Sequence, residues 1–310
     1  MLVTAGVSIV ENAAYNSGVG YERVGSASQD LKEHVQQMLE DSRKNAVSLS
    51  QNYRLVDALS SGDFEGMKAV LDELNLYLKA DTISVTDAEG NVAIRQHEPE
   101  KLGDSILKQA NVQRALEGEV LTTLEPGALV KLSCRTGAPV RDGSGQIIGT
   151  VVTGYTLENS DALDALKELH HTELSVFSGT GCIATTLTEN GERAVGAQLD
   201  EAVAKTVLED GQPYSGDADI SGRPYIAEYD PLLDSEGKVV GAIFAGLSKA
   251  DAAKAARDTV LHLGLTSLAI IAVCCLLIMR FVNRTIKRPM RALAEASGKL
   301  ARGELDVEIG

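Results

Sequence analysis

Pro139-Val140-Arg141-Asp142-Gly143-Ser144-Gly145-Gln146-Ile147-Ile148-Gly149 recurs 92 residues later as Pro231-Leu232-Leu233-Asp234-Ser235-Glu236-Gly237-Lys238-Val239-Val240-Gly241. The match continues without a gap, so that Gly154 pairs with Gly246. Upstream, Ile83-Ser84-Val85-Thr86 followed by Gly90 resembles Leu174-Ser175-Val176-Phe177 followed by Gly181 at an offset of 91, and Leu102-Gly103 pairs with Val195-Gly196 at 93. Self-similarity at a near-constant offset is the signature of a duplicated unit, and two copies of one fold are expected.

Each copy reads as strand, glycine turn, strand, short helices and three more strands. Ala88-Glu89-Gly90-Asn91 and Gly143-Ser144-Gly145 are the hairpin turns. Alternation over Gln146 to Thr156 suits an antiparallel sheet. The fold class is therefore α+β, with two tandem modules that each hold an antiparallel five-stranded sheet. Ahead of them, Ser28 to Lys79 lacks proline and places Leu31, Val35, Met38, Leu39, Ser42, Ala46 and Leu49 at a helical period. This predicts a long helix broken near Ser61-Gly62-Asp63, and Asp161 to His171 predicts a second helix joining the copies.

Between Asp258 and Arg280, 21 consecutive residues carry no Asp, Glu, Lys or Arg, enough for a helix to cross the hydrocarbon layer of roughly 30 Å. Arg280, Arg284, Lys287, Arg288 and Arg291 follow it, while Lys254 and Arg257 are balanced by Asp251 and Asp258 before it. The positive-inside bias puts the carboxyl-terminal side in the cytoplasm and everything before Asp258 outside. The chain opens with only a short apolar stretch, Met1 to Val10, and is expected to begin inside a first transmembrane helix.

The 310 residues suit about two domains. With Arg280 onward set aside, the remaining residues hold 22 basic and 40 acidic side chains, a balance that argues against nucleic-acid binding. Cys274 and Cys275 fall in the membrane segment, leaving Cys134 and Cys182 in different modules, where small buried hydrophobes are their ordinary reading. Gly143-x-Gly145-x-x-x-Gly149 lacks the spacing of a dinucleotide loop, and His170-His171 ends a helix, where a dipole accounts for it. With no nucleophile–base pair or metal-ligand motif, neither an enzyme nor a cofactor is expected.

Tandem strand-rich modules behind a long helix and ahead of a membrane helix resemble the double Cache sensor domains, PAS-like folds of chemoreceptors and sensor kinases. The resemblance covers about residues 25–250. Ile286, Arg288-Pro289-Met290, Leu293, Leu300, Ala301, Gly303, Glu304, Leu305 and Ile309 resemble the opening of a HAMP linker, with Met290, Leu293, Ala294, Ser297 and Leu300 as a coiled-coil seam. On this resemblance, residues 1–24 are the remnant of a first transmembrane helix, 25–79 a long signalling helix, 80–158 a membrane-distal module and 159–248 a membrane-proximal module. Residues 249–282 form the transmembrane helix and 283–310 the start of HAMP. It implies a homodimer in the bacterial plasma membrane, with an extracytoplasmic sensor that reaches the cytoplasmic chemotaxis kinase complex through a further carboxyl-terminal region. A sensor histidine kinase input region and a membrane-anchored solute-binding module are the alternatives.

The first module is similar to the sensor domains of citrate and dicarboxylate sensor kinases, which use a basic pair and an arginine shortly before a proline. Here these are Arg95 and His97, followed by Pro99 and Gly103, and Arg135 ahead of Pro139. Arg95 and His97 stand one residue closer together than in those sensors. In a strand over Leu129 to Thr136, Lys131, Ser133 and Arg135 share one face by the period of two. A guanidinium holds a carboxylate through two parallel hydrogen bonds and a lysine adds charge. The expected site for a small carboxylate is therefore Arg135, His97, Arg95, Lys131 and Ser133, with Thr153 added. The second copy places Ala227 and Tyr225 where the first has Arg135 and Ser133.

Overall fold

The computed structural model describes residues 2–127 and 130–300. The chain divides into two units, Met1–Ala250 and Asp251–Gly310. Helix α1 (Leu2–Ser50) opens the first, followed by α2 (Tyr53–Ser61) and α3 (Phe64–Leu78). The long helix has two breaks where one was expected. Asn52 ends α1 and caps α2, its side-chain oxygen accepting from the backbone N–H groups of Arg54 and Leu55. The expected break follows, where Gly62 takes a left-handed conformation and Asp63 caps α3 by accepting from Gly66 N–H.

The first sheet contains β1 (Thr82–Asp87), β2 (Val92–Arg95), β3 (Leu121–Pro126), β4 (Leu132–Arg141) and β5 (Ile147–Thr156), with α4 (Ala110–Leu116) before β3. Its strand order is β2-β1-β5-β4-β3. After α5 (Asp161–His170), the second sheet contains β6 (Glu173–Ser178), β7 (Gly181–Thr185), β10 (Tyr214–Ile220), β11 (Arg223–Leu233) and β12 (Val239–Ser248). A small hairpin of β8 (Thr188–Glu189) and β9 (Glu192–Arg193), then α6 (Glu201–Ala204) and a π-helical turn Lys205–Glu209, precede β10. The second order, β7-β6-β12-β11-β10, repeats the first strand for strand. Irregularities in pairing repeat too, falling at Val140/Arg141 and Leu232/Leu233 and again at Val85/Thr86 and Val176/Phe177.

The quoted repeat is the β4–β5 and β11–β12 connection. In each, an aspartate closes the turn: the Asp142 carboxylate accepts from Ser144 and Gln146 N–H at 2.9 and 3.0 Å, and Asp234 accepts from Glu236 and Lys238 N–H, both at 2.9 Å. Gly145 and Gly237 supply the left-handed residue at φ 89° and 82°. The last glycine of each repeat has a different reason. A Cβ on Gly149 would lie 1.9 Å from Thr86 O, and one on Gly241 would lie 2.1 Å from Phe177 O.

Helix α1 packs along both sheets. Ser28 Oγ donates to Asp230 of β11 at 2.8 Å, and fourteen residues later Ser42 and Thr153 of β5 bring their hydroxyl oxygens to 3.0 Å. That separation is about 21 Å of helix. Leu31, Val35, Ala46 and Leu49 of α1 are buried. One apolar core joins Leu49, Leu55, Leu71, Ile83 and Val151, and another gathers Phe177, Val207, Tyr229 and Phe244. His170 ends α5 against α1, its Nε2 at 2.7 Å from Asp30. Cys134 and Cys182 are buried and unpaired, and burial pushes their thiols up to about 12 and about 11.

The last strand of the second sheet runs without a linker residue into α7 (Lys249–Val282), which continues through a π-helical turn, Asn283–Lys287, into α8 (Arg288–Leu300). Within it Gly264–Arg291, at a mean hydropathy of 2.5 and with none of the apolar stretch buried, is long and apolar enough to cross a membrane. Of the HAMP-like positions, Ala301, Gly303, Glu304, Leu305 and Ile309 lie outside the described residues.

Candidate functional site

Strand register sorts the candidate residues by sheet face. Arg135 stands opposite Gly154, Ser133 opposite Thr156 and Thr136 opposite Thr153. Because neighbours along a strand point to opposite sides, Arg135 and Ser133 share the face of the first sheet turned away from α1. Thr153 belongs to the α1 face, together with Cys134, whose Sγ lies 3.5 Å from Met38 O. On the Arg135 face, β3 contributes Thr123, opposite Arg135, and Glu125, opposite Ser133. Ser84, Thr86 and Thr150 line the same face by register with Val152, Arg95 and one another.

Arg135 donates from Nε to Ser133 Oγ at 2.9 Å, which orients the guanidinium. Its Nη1 lies 3.7 Å from Glu125 Oε2, an ion-pair distance too long for a good hydrogen bond. Arg135 and Glu125 side chains are 23% and 20% exposed. Burial pushes the Glu125 carboxyl above its usual range, although the charge of Arg135 pulls the other way. Gly154 makes room for Thr82 rather than for the arginine stem, since a Cβ there would meet Thr82 Oγ1 at 2.3 Å but Arg135 Cγ only at an ordinary 3.6 Å. His97 follows β2, and burial holds it below the ordinary histidine value, with the charges of Arg95 and Arg135 acting in the same direction. Two residues along β4 from Arg135, Gly137 admits the backbone of α4 at Asn111. Asn111 is fully buried, and its amide nitrogen has no hydrogen-bond partner among the described residues. The face thus combines an oriented guanidinium, hydroxyls and an unused amide donor with the Glu125 carboxylate at the guanidinium's edge, and the donors suit an oxygen-rich anion.

Three expected residues offer no free group to this site. Arg95 is buried and its fork is filled: Nη1 and Nη2 donate to the two oxygens of Asp104 at 2.6 and 2.8 Å, and Nη1 also donates to Lys101 O at 2.8 Å. It holds the loop after β2 in place. Thr153 Oγ1 donates to Ser42 O at 2.9 Å on the opposite face of the sheet. Lys131 precedes β4, which spans Leu132–Arg141, the expected start at Leu129 lying outside the described residues, and its side chain is exposed. Its backbone is what is engaged, its N–H donating to the Glu158 carboxylate and its carbonyl accepting from Ser178 Oγ at 2.8 Å. Glu125 and Asn111 were not anticipated. The polar alternation Thr123-x-Glu125 in a strand was the available signal for the first, and nothing local marks the second.

Residues 155–259 match the family described as single cache domain 3, a span that begins at the end of β5 and holds the whole second sheet. In sequence the chain is 28% identical over 113 residues to the sensor histidine kinase CitA of Klebsiella pneumoniae, a match covering 36% of this chain and 20% of that protein. It thus spans about a fifth of the length of that relative. Among solved structures, the sensor domain of the histidine kinase DctB of V. cholerae is similar with a TM-score of 0.51 at 15% identity, over 74% of this chain and 97% of that one. The ligand-binding domain of the Campylobacter jejuni chemoreceptor Tlp3, solved with 4-methylisoleucine, is similar with a TM-score of 0.51 at 10% identity, over 78% and 94%. Residues 155–259 accordingly resemble a cache domain, in a chain whose fold is similar to that of the sensor domains of histidine kinases and chemoreceptors.

Proposed function

We propose that this chain is the input half of a bacterial transmembrane receptor, with two cache modules outside the membrane, and that the first module binds a small organic carboxylate through Arg135. The observation that carries this reading is the state of Arg135. Its guanidinium is mostly buried and oriented by Ser133, and among the described residues its outer edge meets only the long contact to Glu125. A ligand carboxylate supplies what the protein leaves incomplete there, two parallel charge-assisted hydrogen bonds. The Asn111 amide supplies a further donor to a di- or tricarboxylate.

Signal transfer follows from the chain path. The second sheet passes from Ser248 directly into α7 at Lys249, so β12 and the membrane-competent helix are contiguous in the chain. Lys249 Nζ is held by Asp217 at 2.6 Å, and Asp217 also accepts from the Tyr21 hydroxyl of α1 at 3.3 Å, tying both helices to the edge strand β10. A ligand drives signal transfer only by binding one arrangement better than the other. Met290 and Leu293 of α8 are exposed apolar residues and suit the seam of a HAMP-type parallel homodimer. The output is a chemotaxis kinase complex on this reading. The likeness to CitA favours a second one, the input region of a sensor histidine kinase.

Titration calorimetry of the full chain in nanodiscs against citrate, malate and succinate tests the site. Arg135→Ala is expected to weaken binding by about 2–3 kcal/mol, the lower part of the range for truncating one partner of a buried charge pair because Arg135 keeps some exposure. Arg135→Lys weakens it as well, through loss of the planar fork. Acid binding that survives Arg135→Ala unchanged overturns the assignment.

A further inference from the structure

The turn of the quoted repeat occurs twice, and its two copies meet different surroundings. At the second position the first copy has Gly143, exposed and with nothing within 4 Å of where a Cβ would stand. The second copy has Ser235, whose backbone N–H crosses to the first module and donates to Thr123 Oγ1 at 3.1 Å. The Thr123 hydroxyl donates its own proton to Leu124 O at 3.3 Å, which leaves its oxygen to accept. Thr123 is 4% exposed and belongs to β3, where it stands directly opposite Arg135. Residues directly opposite on an antiparallel pair lie side by side on one face. The second module therefore takes hold of the first at the immediate neighbour of Arg135.

The start of β4 is held as well. Ser178 Oγ donates to Lys131 O at 2.8 Å, and β12 approaches so closely that a Cβ on Gly241 would meet Leu132 Cδ2 at 3.3 Å. The strands that carry Arg135 and Glu125 are thus both in contact with the second module. Of the two, β3 is the freer, a six-residue edge strand with β4 as its sheet neighbour. It brings Glu125, two residues from Thr123 and on the same face, to 3.7 Å from Arg135 Nη1. At 20% exposure, the Glu125 carboxylate depends on that cation for compensation. An anion on Arg135 takes the compensation away and places a second negative charge beside Glu125. The relief open to a charge on an edge strand is movement towards water.

We propose that the Thr123–Ser235 hydrogen bond is the contact through which the second module senses Arg135, kept while Glu125 pairs with the arginine and loosened when an anion replaces it. Sensing of a carboxylate in this way rests on Arg135 as its anchor, and one arm of the test needs no ligand. Amide hydrogen exchange on the full chain in nanodiscs reads the bond at Ser235. Glu236 is the control, because its N–H is held by Asp234 within the same turn. Saturating citrate should speed exchange at Ser235 about five- to tenfold, the lower end of coupling between sites, and leave Glu236 unchanged. Glu125→Gln should bind citrate without that response. In the absence of ligand, Arg135→Gln should strand the Glu125 charge and speed Ser235 to the same extent; adding Glu125→Gln should restore slow exchange, which a misfolded variant does not do. Coupling is reciprocal. Ser235→Pro removes the donated N–H at the second position of the Asp234–Gly237 turn, where proline is favoured, and leaves the first module as it is. It should tighten citrate binding by the same factor. Failure of citrate to bind removes the carboxylate reading alone, and Arg135→Gln then decides the coupling. Citrate binding that leaves Ser235 exchange unchanged, an affinity of Ser235→Pro equal to wild type, or exchange in Arg135→Gln equal to wild type overturns the proposal.

Discussion

Replacing Glu125 with glutamine removes a charge and little else, and the surroundings of the residue set the sign of its two effects. At 3.7 Å from Arg135 Nη1, the carboxylate attracts the guanidinium by at most about 4.5 kcal/mol at an effective dielectric of about 20. Burial nonetheless leaves the Glu125 carboxyl easier to protonate than usual, so the cost of desolvating the charge exceeds what Arg135 returns. Glu125→Gln should therefore leave the melting temperature unchanged or raise it slightly. In the same step a negative charge beside the anion site disappears, and carboxylate affinity should rise about tenfold, or roughly 1.4 kcal/mol. The pH dependence follows the same sign. Because the folded-state pKa of Glu125 is raised, its stabilising contribution is complete below the ordinary carboxyl value and is lost as pH rises through the folded value. Lowering the pH from neutral towards that value discharges Glu125 and should tighten binding of an acid that remains ionised. Glu125→Gln should flatten this trend. Differential scanning calorimetry and titration calorimetry at several pH values, on wild type and variant, read both effects. A melting temperature lowered by several degrees with no gain in affinity would refute the reasoning and make the pair structural.

Two further outcomes separate structural from binding residues. Arg95→Ala should cost about 1.5–3 kcal/mol of stability in a urea titration, the scale of hydrogen bonds to charged groups, because it empties a buried position that holds Asp104 and Lys101 O; its effect on carboxylate affinity should be smaller than that of Arg135→Ala. Gly149→Ala and Gly241→Ala should each destabilise by about 1–3 kcal/mol in thermal unfolding, as overpacking does, since either Cβ would press on a carbonyl oxygen of the neighbouring strand. An unchanged melting temperature in both would remove that explanation for the repeated glycine.

Much of the architecture was legible in the chain because it depends on neighbours in sequence. The turn of the quoted repeat needs an aspartate and a glycine three residues on, both visible as Asp142 with Gly145 and Asp234 with Gly237. Two strand orders that coincide follow from that duplication, and the membrane-competent helix follows from length and apolarity alone. The break after Ser50 was not legible, because Asn52 acts there as a cap and asparagine is also common within helices. The site was read only in part, for a different reason. Parity along one strand put Ser133 and Arg135 on a common face, but whether Thr153 joins them depends on the register of β5 against β4, a long-range choice that placed Gly154 opposite Arg135. Likewise Arg95 and Arg135 look alike as residues. What distinguishes them is which acid the fold delivers: Asp104 arrives within hydrogen-bond distance of both nitrogens of Arg95, while Glu125 stops at 3.7 Å from Arg135. Sequence alone determined the repeat, the turns and the membrane-competent helix, since local spacing suffices for each; only tertiary structure decided which cation has its fork filled and which meets its acid at a longer distance, since pairing is a property of distances between segments.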